Sequence, residues 1–145
     1  MSGPKNTKRD GTLYEQRFVV RALEHGLEPH PTTGEYLQHD FLLGNAAGTV
    51  YKVQIKGTSR PEYSRGAKES RSTPRYRIIA GRGHNKESLD CSKVDVLAAY
   101  VAPNDAWYLI PCLKLRSKGV WVYPDVENSR AYYEQFREKW DMFLT

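Results

Sequence analysis

Along residues 50–56 the side chains alternate, with Tyr51, Val53 and Ile55 apolar on one face and Lys52, Gln54 and Lys56 polar on the other. A period of two predicts a strand with one buried face, so Gln54 and Lys56 stand side by side on the other. An earlier alternating run over residues 36–43 reaches this strand through Gly-Asn-Ala-Ala-Gly-Thr at 44–49, a composition suited to a hairpin loop. That hairpin brings Asp40 near Gln54 and Lys56. Residues 12–25 carry Phe18, Val19, Ala22 and Leu23 at helical spacing and stop at Gly26; Glu15 falls on the same inward face. Thr12 and Glu15 also have the spacing of a capping box, although a first-turn carboxylate can equally point toward a sheet edge. Residues 75–80, 94–102, 106–111 and 120–123 predict further strands, the second of them largely buried, and residues 81–93 an irregular connection. Residues 129–144, with Ser129 as cap and Tyr133, Phe136, Trp140 and Phe143 as a stripe, predict a closing amphipathic helix packed on the core.

The chain has 145 residues, enough for one compact domain over residues 11–145. Residues 1–10 are polar and basic, with Gly3 and Pro4, and predict a mobile arm. A net charge of +5 fits a polyanionic partner, and its distribution sharpens the point. Arg60, Arg65, Lys68, Arg71 and Arg75 crowd the stretch directly after the polar strand, where phosphate contacts compete with simple solvation as their role. Cys91 and Cys112 are isolated, without a Cys-x-x-Cys partner or signal peptide, so they predict reduced thiols in a cytoplasmic protein. The four histidines have no zinc spacing, and Gly81-Arg82-Gly83-His84 lacks the Gly-Lys-Ser/Thr of a phosphate-binding loop. No apolar run is long enough to enter a membrane.

The strand pattern has a specific chemical use. Mg2+ takes hard oxygen ligands and is commonly held by one or two carboxylates plus substrate phosphate. Asp40 offers a charged oxygen, the Gln54 amide a neutral one, and the main-chain carbonyl of Ile55 a third. Lys56 then stands beside the attacking water, either orienting and deprotonating it or stabilising the developing negative charge.

These residues resemble the PD-(D/E)xK nuclease superfamily, in the variant whose last motif carries Gln in place of an acid. The resemblance is carried by Gln54-Ile55-Lys56, the helix at 11–26, the runs at 94–101 and 107–111, and the closing segment at 132–141. Within the superfamily the chain is similar to the branch associated with group I intron homing endonucleases, and more distantly to archaeal Holliday junction resolvases. The resemblance implies an α/β, restriction-endonuclease-like central mixed β-sheet flanked by helices, built as a helix, three antiparallel strands, a connecting helix and a further strand. It implies a DNA endonuclease using Mg2+ or Mn2+, with Glu15 as the helix glutamate, Asp40 as the first metal carboxylate, Gln54 as the second ligand and Lys56 as the lysine. His39 stands where a proline is usual, which matters little because proline is not a ligand. Gln54 removes a charge, so with Gln54 as a ligand Gln54→Glu, close in shape and adding a charge, strengthens metal binding. DNA is the implied partner, and symmetric cutting of two strands implies a homodimer or larger homo-oligomer. Different readings of the same residues are a branched-DNA resolvase and a catalytically silent nucleic-acid-binding module.

Overall fold

The computed structural model describes residues 7–63, 73–82 and 87–144. Helix α1, Thr7–Glu24, is followed by strands β1 Glu28–Pro31, β2 Phe41–Gly44 and β3 Val50–Thr58. Next come β4 Tyr76–Ile79, β5 Gly81–Arg82, β6 Glu87–Ser88, β7 Val96–Val101, β8 Ala106–Pro111 and β9 Gly119–Val122. The main sheet has the order β1-β2-β3-β7-β8, mixed in sense: β3 and β7 are parallel, and the other neighbours are antiparallel. Strands β4 and β9 pair separately, as do β5 and β6.

The alternation in β3 and β7 explains the layering. Val53, Ile55, Val96, Ala98 and Tyr100 face α1 and pack with Tyr14, Phe18, Phe41, Trp107 and Trp140. Leu97, Ala99 and Val101 face the other way, into a second core with Tyr76, Ile78, Val120, Val122 and Tyr133. Strand β7 therefore has both faces covered, which is why its sequence is an unbroken apolar run. Phe18, fully buried and in edge-on contact with the Trp107 ring at 5.5 Å, ties α1 to the sheet. Burial of such a side chain contributes roughly 1.5–3 kcal/mol.

Several expectations are corrected. The helix begins at Thr7, so residues 7–10 belong to α1 rather than to an arm. Thr12 lies inside the helix, its hydroxyl donating to the Lys8 carbonyl at 3.1 Å, so no Thr12 capping box forms. The inward stripe is Tyr14, Phe18 and Ala22, and Leu23 faces solvent. Of the run 36–43, only the part from Phe41 onward is strand, and β1 was not expected. The described residues of the β3-to-β7 crossover hold short strands rather than a connecting helix.

The closing segment forms two 3-10 turns, Tyr132–Phe136 and Trp140–Phe143, instead of one helix. Between them Glu138 adopts φ 49°, and its backbone and carboxylate both serve β8. The Glu138 N–H donates to the Trp107 carbonyl at 2.7 Å, while its carboxylate accepts the Trp107 N–H at 2.7 Å and the Arg21 guanidinium at 2.8 Å. Arg137, extended at φ −65° and ψ 124°, bridges Tyr108 on β8, and with Glu138 left-handed after it the helical hydrogen bonding stops. The aromatic stripe still buries Tyr133, Trp140 and Phe143. Cys91 and Cys112 form a disulfide, against the expectation of reduced thiols: the turn before β7 and the turn after β8 bring their Cα atoms to 5.6 Å.

Candidate active site

Strands β2 and β3 pair only as far as Phe41 opposite Val53. Asp40 stands at that divergence, its N–H donating to the Val53 carbonyl at 2.8 Å and its carbonyl accepting the Thr32 N–H at 3.0 Å. The next amide on the same edge of β3, Ile55 N–H, donates to the Asp40 carboxylate Oδ2 at 2.7 Å. A carboxylate oxygen thus takes the position of a missing strand carbonyl. A strand residue directs its N–H and C=O to the same edge, so the Ile55 carbonyl opens beside Asp40.

Gln54 is buried on the polar face of β3. Its Nε2 donates to the Gln38 carbonyl at 3.1 Å, and its Oε1 is buried with no hydrogen-bond partner. An isolated buried acceptor is costly, and a cation would satisfy it. Among the described residues no three His, Cys, Asp or Glu side chains gather around one point. The oxygens at this edge are instead the Asp40 carboxylate, the Gln54 amide and the Ile55 carbonyl, a hard-donor set that fits a divalent cation of the Mg2+ type.

Glu15 reaches the region because α1 lies close against β3. A Cβ on Gly57 would stand 2.5 Å from Cδ2 of Tyr14, so only glycine lets the helix approach at this point. Burial raises the Glu15 carboxyl above its usual range, and the Asp40 charge adds to the shift. The Asp40 carboxyl is also raised by its burial, against the downward pull of the Ile55 N–H, the Lys56 ammonium and His39. Asp40 therefore acts electrostatically on Glu15, and Lys56 on Asp40. Beside Lys56 a cleft of about 340 Å³ opens between the first turns of α1 and the end of β3, with Asp10, Tyr14, Gly57 and Arg60 among its walls.

Of the basic residues expected to hold nucleic acid, Arg60 and Arg75 are among the described residues. Arg60 is exposed on the cleft. The Arg75 guanidinium lies 3.9 Å over the Trp121 ring, with its Nε buried and without a hydrogen-bond partner. Arg65, Lys68 and Arg71 lie outside the described residues. Two features escaped the sequence reading. Gln38, two positions before Asp40, contacts Gln54; its polar place in the alternating run was the available signal. Lys52 joins Lys93, His39 and the exposed Tyr36 around a groove of about 380 Å³. Lys52 lies on the same face of β3 as Gln54.

The family model of the PD-(D/E)XK endonuclease matches residues 5–142. The solved structure of a bacterial homing endonuclease, I-Ssp6803I, superposes with a TM-score of 0.73 and 21% identity, covering 97% of this chain and 93% of that one. A comparison with curated proteins finds no match. With the family match spanning both cores and the strand that carries Gln54 and Lys56, the chain belongs to the PD-(D/E)XK endonuclease family.

Proposed function

We propose that this nuclease hydrolyses internal phosphodiesters of DNA with Mg2+, for which Mn2+ substitutes. The observation that carries the reading is the partnerless, buried Gln54 Oε1 at the edge where Asp40 replaces a strand carbonyl. Asp40, Gln54 and the Ile55 carbonyl hold the ion, with Glu15 as a further carboxylate at its border. The ion, when bound, supplies Lewis acidity at the scissile phosphate. Lys56 orients and deprotonates the attacking water or stabilises the negative charge that develops on the phosphate oxygens. The hydrogen bond from Ile55 keeps Asp40 in place before substrate arrives, so little reorganisation accompanies binding.

Arg60 on the cleft and Lys52, Lys93 and Tyr36 around the neighbouring groove support a nucleic-acid path across this edge, with cations on phosphates and the ring available to a base. Arg65, Lys68, Arg71 and Arg75 extend the same basic stretch in sequence. A homodimer or larger assembly cuts both strands, in the intracellular compartment that holds DNA. Residues 11–145 act as the single nuclease domain in this reading.

The test is a cleavage screen with Mg2+, Mn2+ or EDTA over linear, supercoiled, single-stranded and four-way-junction DNA, with Lys56→Ala as control. Cutting of duplex DNA that needs the ion and Lys56 is the expected result. Cutting confined to junctions assigns a branched-DNA resolvase, and binding without metal-dependent cutting assigns a silent binding module.

A further inference from the structure

We propose that Gln38 is a positioning residue whose main-chain carbonyl orients the Gln54 amide, making glutamine rather than glutamate the side chain that fits position 54. This rests on the metal reading of the site given above. The two ends of an amide are chemically opposite. The Gln38 carbonyl only accepts, so it selects the Nε2 end of Gln54, at 3.1 Å, and turns Oε1 the other way. Rotating the amide by half a turn would set two acceptors against each other and remove the oxygen from the site. Gln54 is 7% exposed, which leaves no water shell to tolerate that exchange.

Gln38 is itself held, and so are the residues on either side of the contact. Its side-chain Oε1 accepts the Asp90 N–H at 3.3 Å. Asp90 adjoins Cys91, whose disulfide to Cys112 fastens that turn to the end of β8. Two residues beyond Gln38, the Asp40 backbone is bonded to both Val53 and Thr32. The carbonyl facing Gln54 therefore belongs to an anchored segment. Glutamate at position 54 would present an acceptor to the Gln38 carbonyl as well as to the site. Charge alone favours glutamate, and the fixed carbonyl opposes it.

The first measurement is metal-free melting in EDTA of Gln54→Glu and Gln54→Met, both in an Asp40→Asn background so that repulsion between two carboxylates is reduced. Methionine has similar length and no strong acceptor to set against the Gln38 carbonyl. Melting of the Glu variant roughly 3–8 °C below the Met variant is expected. A Glu variant as stable as the Met variant, or more so, overturns the proposal.

The second measurement is Mn2+ binding by calorimetry to the otherwise native chain, Gln38→Met, Gln38→Glu and Asp40→Ala, each checked for folding. Gln38→Met should bind roughly tenfold more weakly, as loss of outer support for a ligand does, and Gln38→Glu, which keeps an acceptor for the Asp90 N–H, should recover most of that loss. Native affinity in Gln38→Met overturns the positioning role alone. An unaltered chain that binds no Mn2+, or an Asp40→Ala variant that binds it undiminished, overturns the metal reading and the proposal together.

Discussion

The Asp40 carboxylate accepts the Ile55 amide N–H at 2.7 Å, at the point where β2 and β3 separate. The contact gives Asp40 a structural task, closing an open strand edge, and leaves no hydrogen bond among the described residues to its other oxygen. Asp40→Asn retains an oxygen for the Ile55 amide and loses the charge. The expected outcome is a folded protein whose Mn2+ affinity, measured by calorimetry, falls at least roughly 10–100-fold. Asp40→Ala should lose stability as well, because the Ile55 N–H is then left without its acceptor.

In the mechanism proposed above, Lys56→Ala leaves the donor oxygens in place and removes the ammonium beside the reacting water. Single-turnover cleavage of DNA should fall about 10²–10³-fold, with Mn2+ affinity retained. Loss of binding with unchanged single-turnover rate at saturating ion would contradict this assignment of Lys56.

Glu15 and Asp40 have folded-state pKa values raised above their unfolded values of about 4.3 and 3.9. A raised carboxyl favours the folded state while protonated. Its contribution is fully present below the unfolded pKa and is lost as pH rises through the folded one. In EDTA, melting temperature should therefore decline across the pH range just above 4, and Glu15→Gln should reduce the decline. Mn2+ at neutral pH should restore stability in the parent more than in Asp40→Asn.

Gly57→Ala places a methyl group against the Tyr14 ring, which is itself buried. Overpacking of this kind costs about 1–3 kcal/mol and forces α1 outward. Denaturant titration should show the loss. Combining it with Tyr14→Leu should give less than the sum of the two single effects, since the residues share the contact.

Lys52 and Lys93 together provide the test of the groove. Replacing both by alanine should lower DNA affinity on all sequences alike and reduce the slope of log affinity against log salt by about 2. An unchanged slope in the folded variant would assign these lysines to solvation, and the same measurement on the Arg65, Lys68 and Arg71 triple variant reads the rest of the basic stretch.

The sequence by itself determined β3, its hairpin with β2 and the buried run of β7, and it put Gln54 and Lys56 on one face of β3, because a period of two states directly which side chains share a face. It also carried the family resemblance, since the motif and its context are local. Tertiary structure decided the remainder. Strand β1 contains Pro29 and Pro31 and has no period to read; it exists because β2 offers it an edge. The aromatic spacing at 132–143 matched a helix, but Glu138 is taken by Trp107 and Arg21, and that pairing outweighed local propensity. Cys91 and Cys112, 21 residues apart in sequence, meet only once β7 and β8 are paired. The orientation of Gln54 was beyond any pattern in the chain: it depends on which atom of Gln38 stands 3.1 Å away, and a hydrogen bond between nonadjacent residues is fixed only by the fold that brings them together.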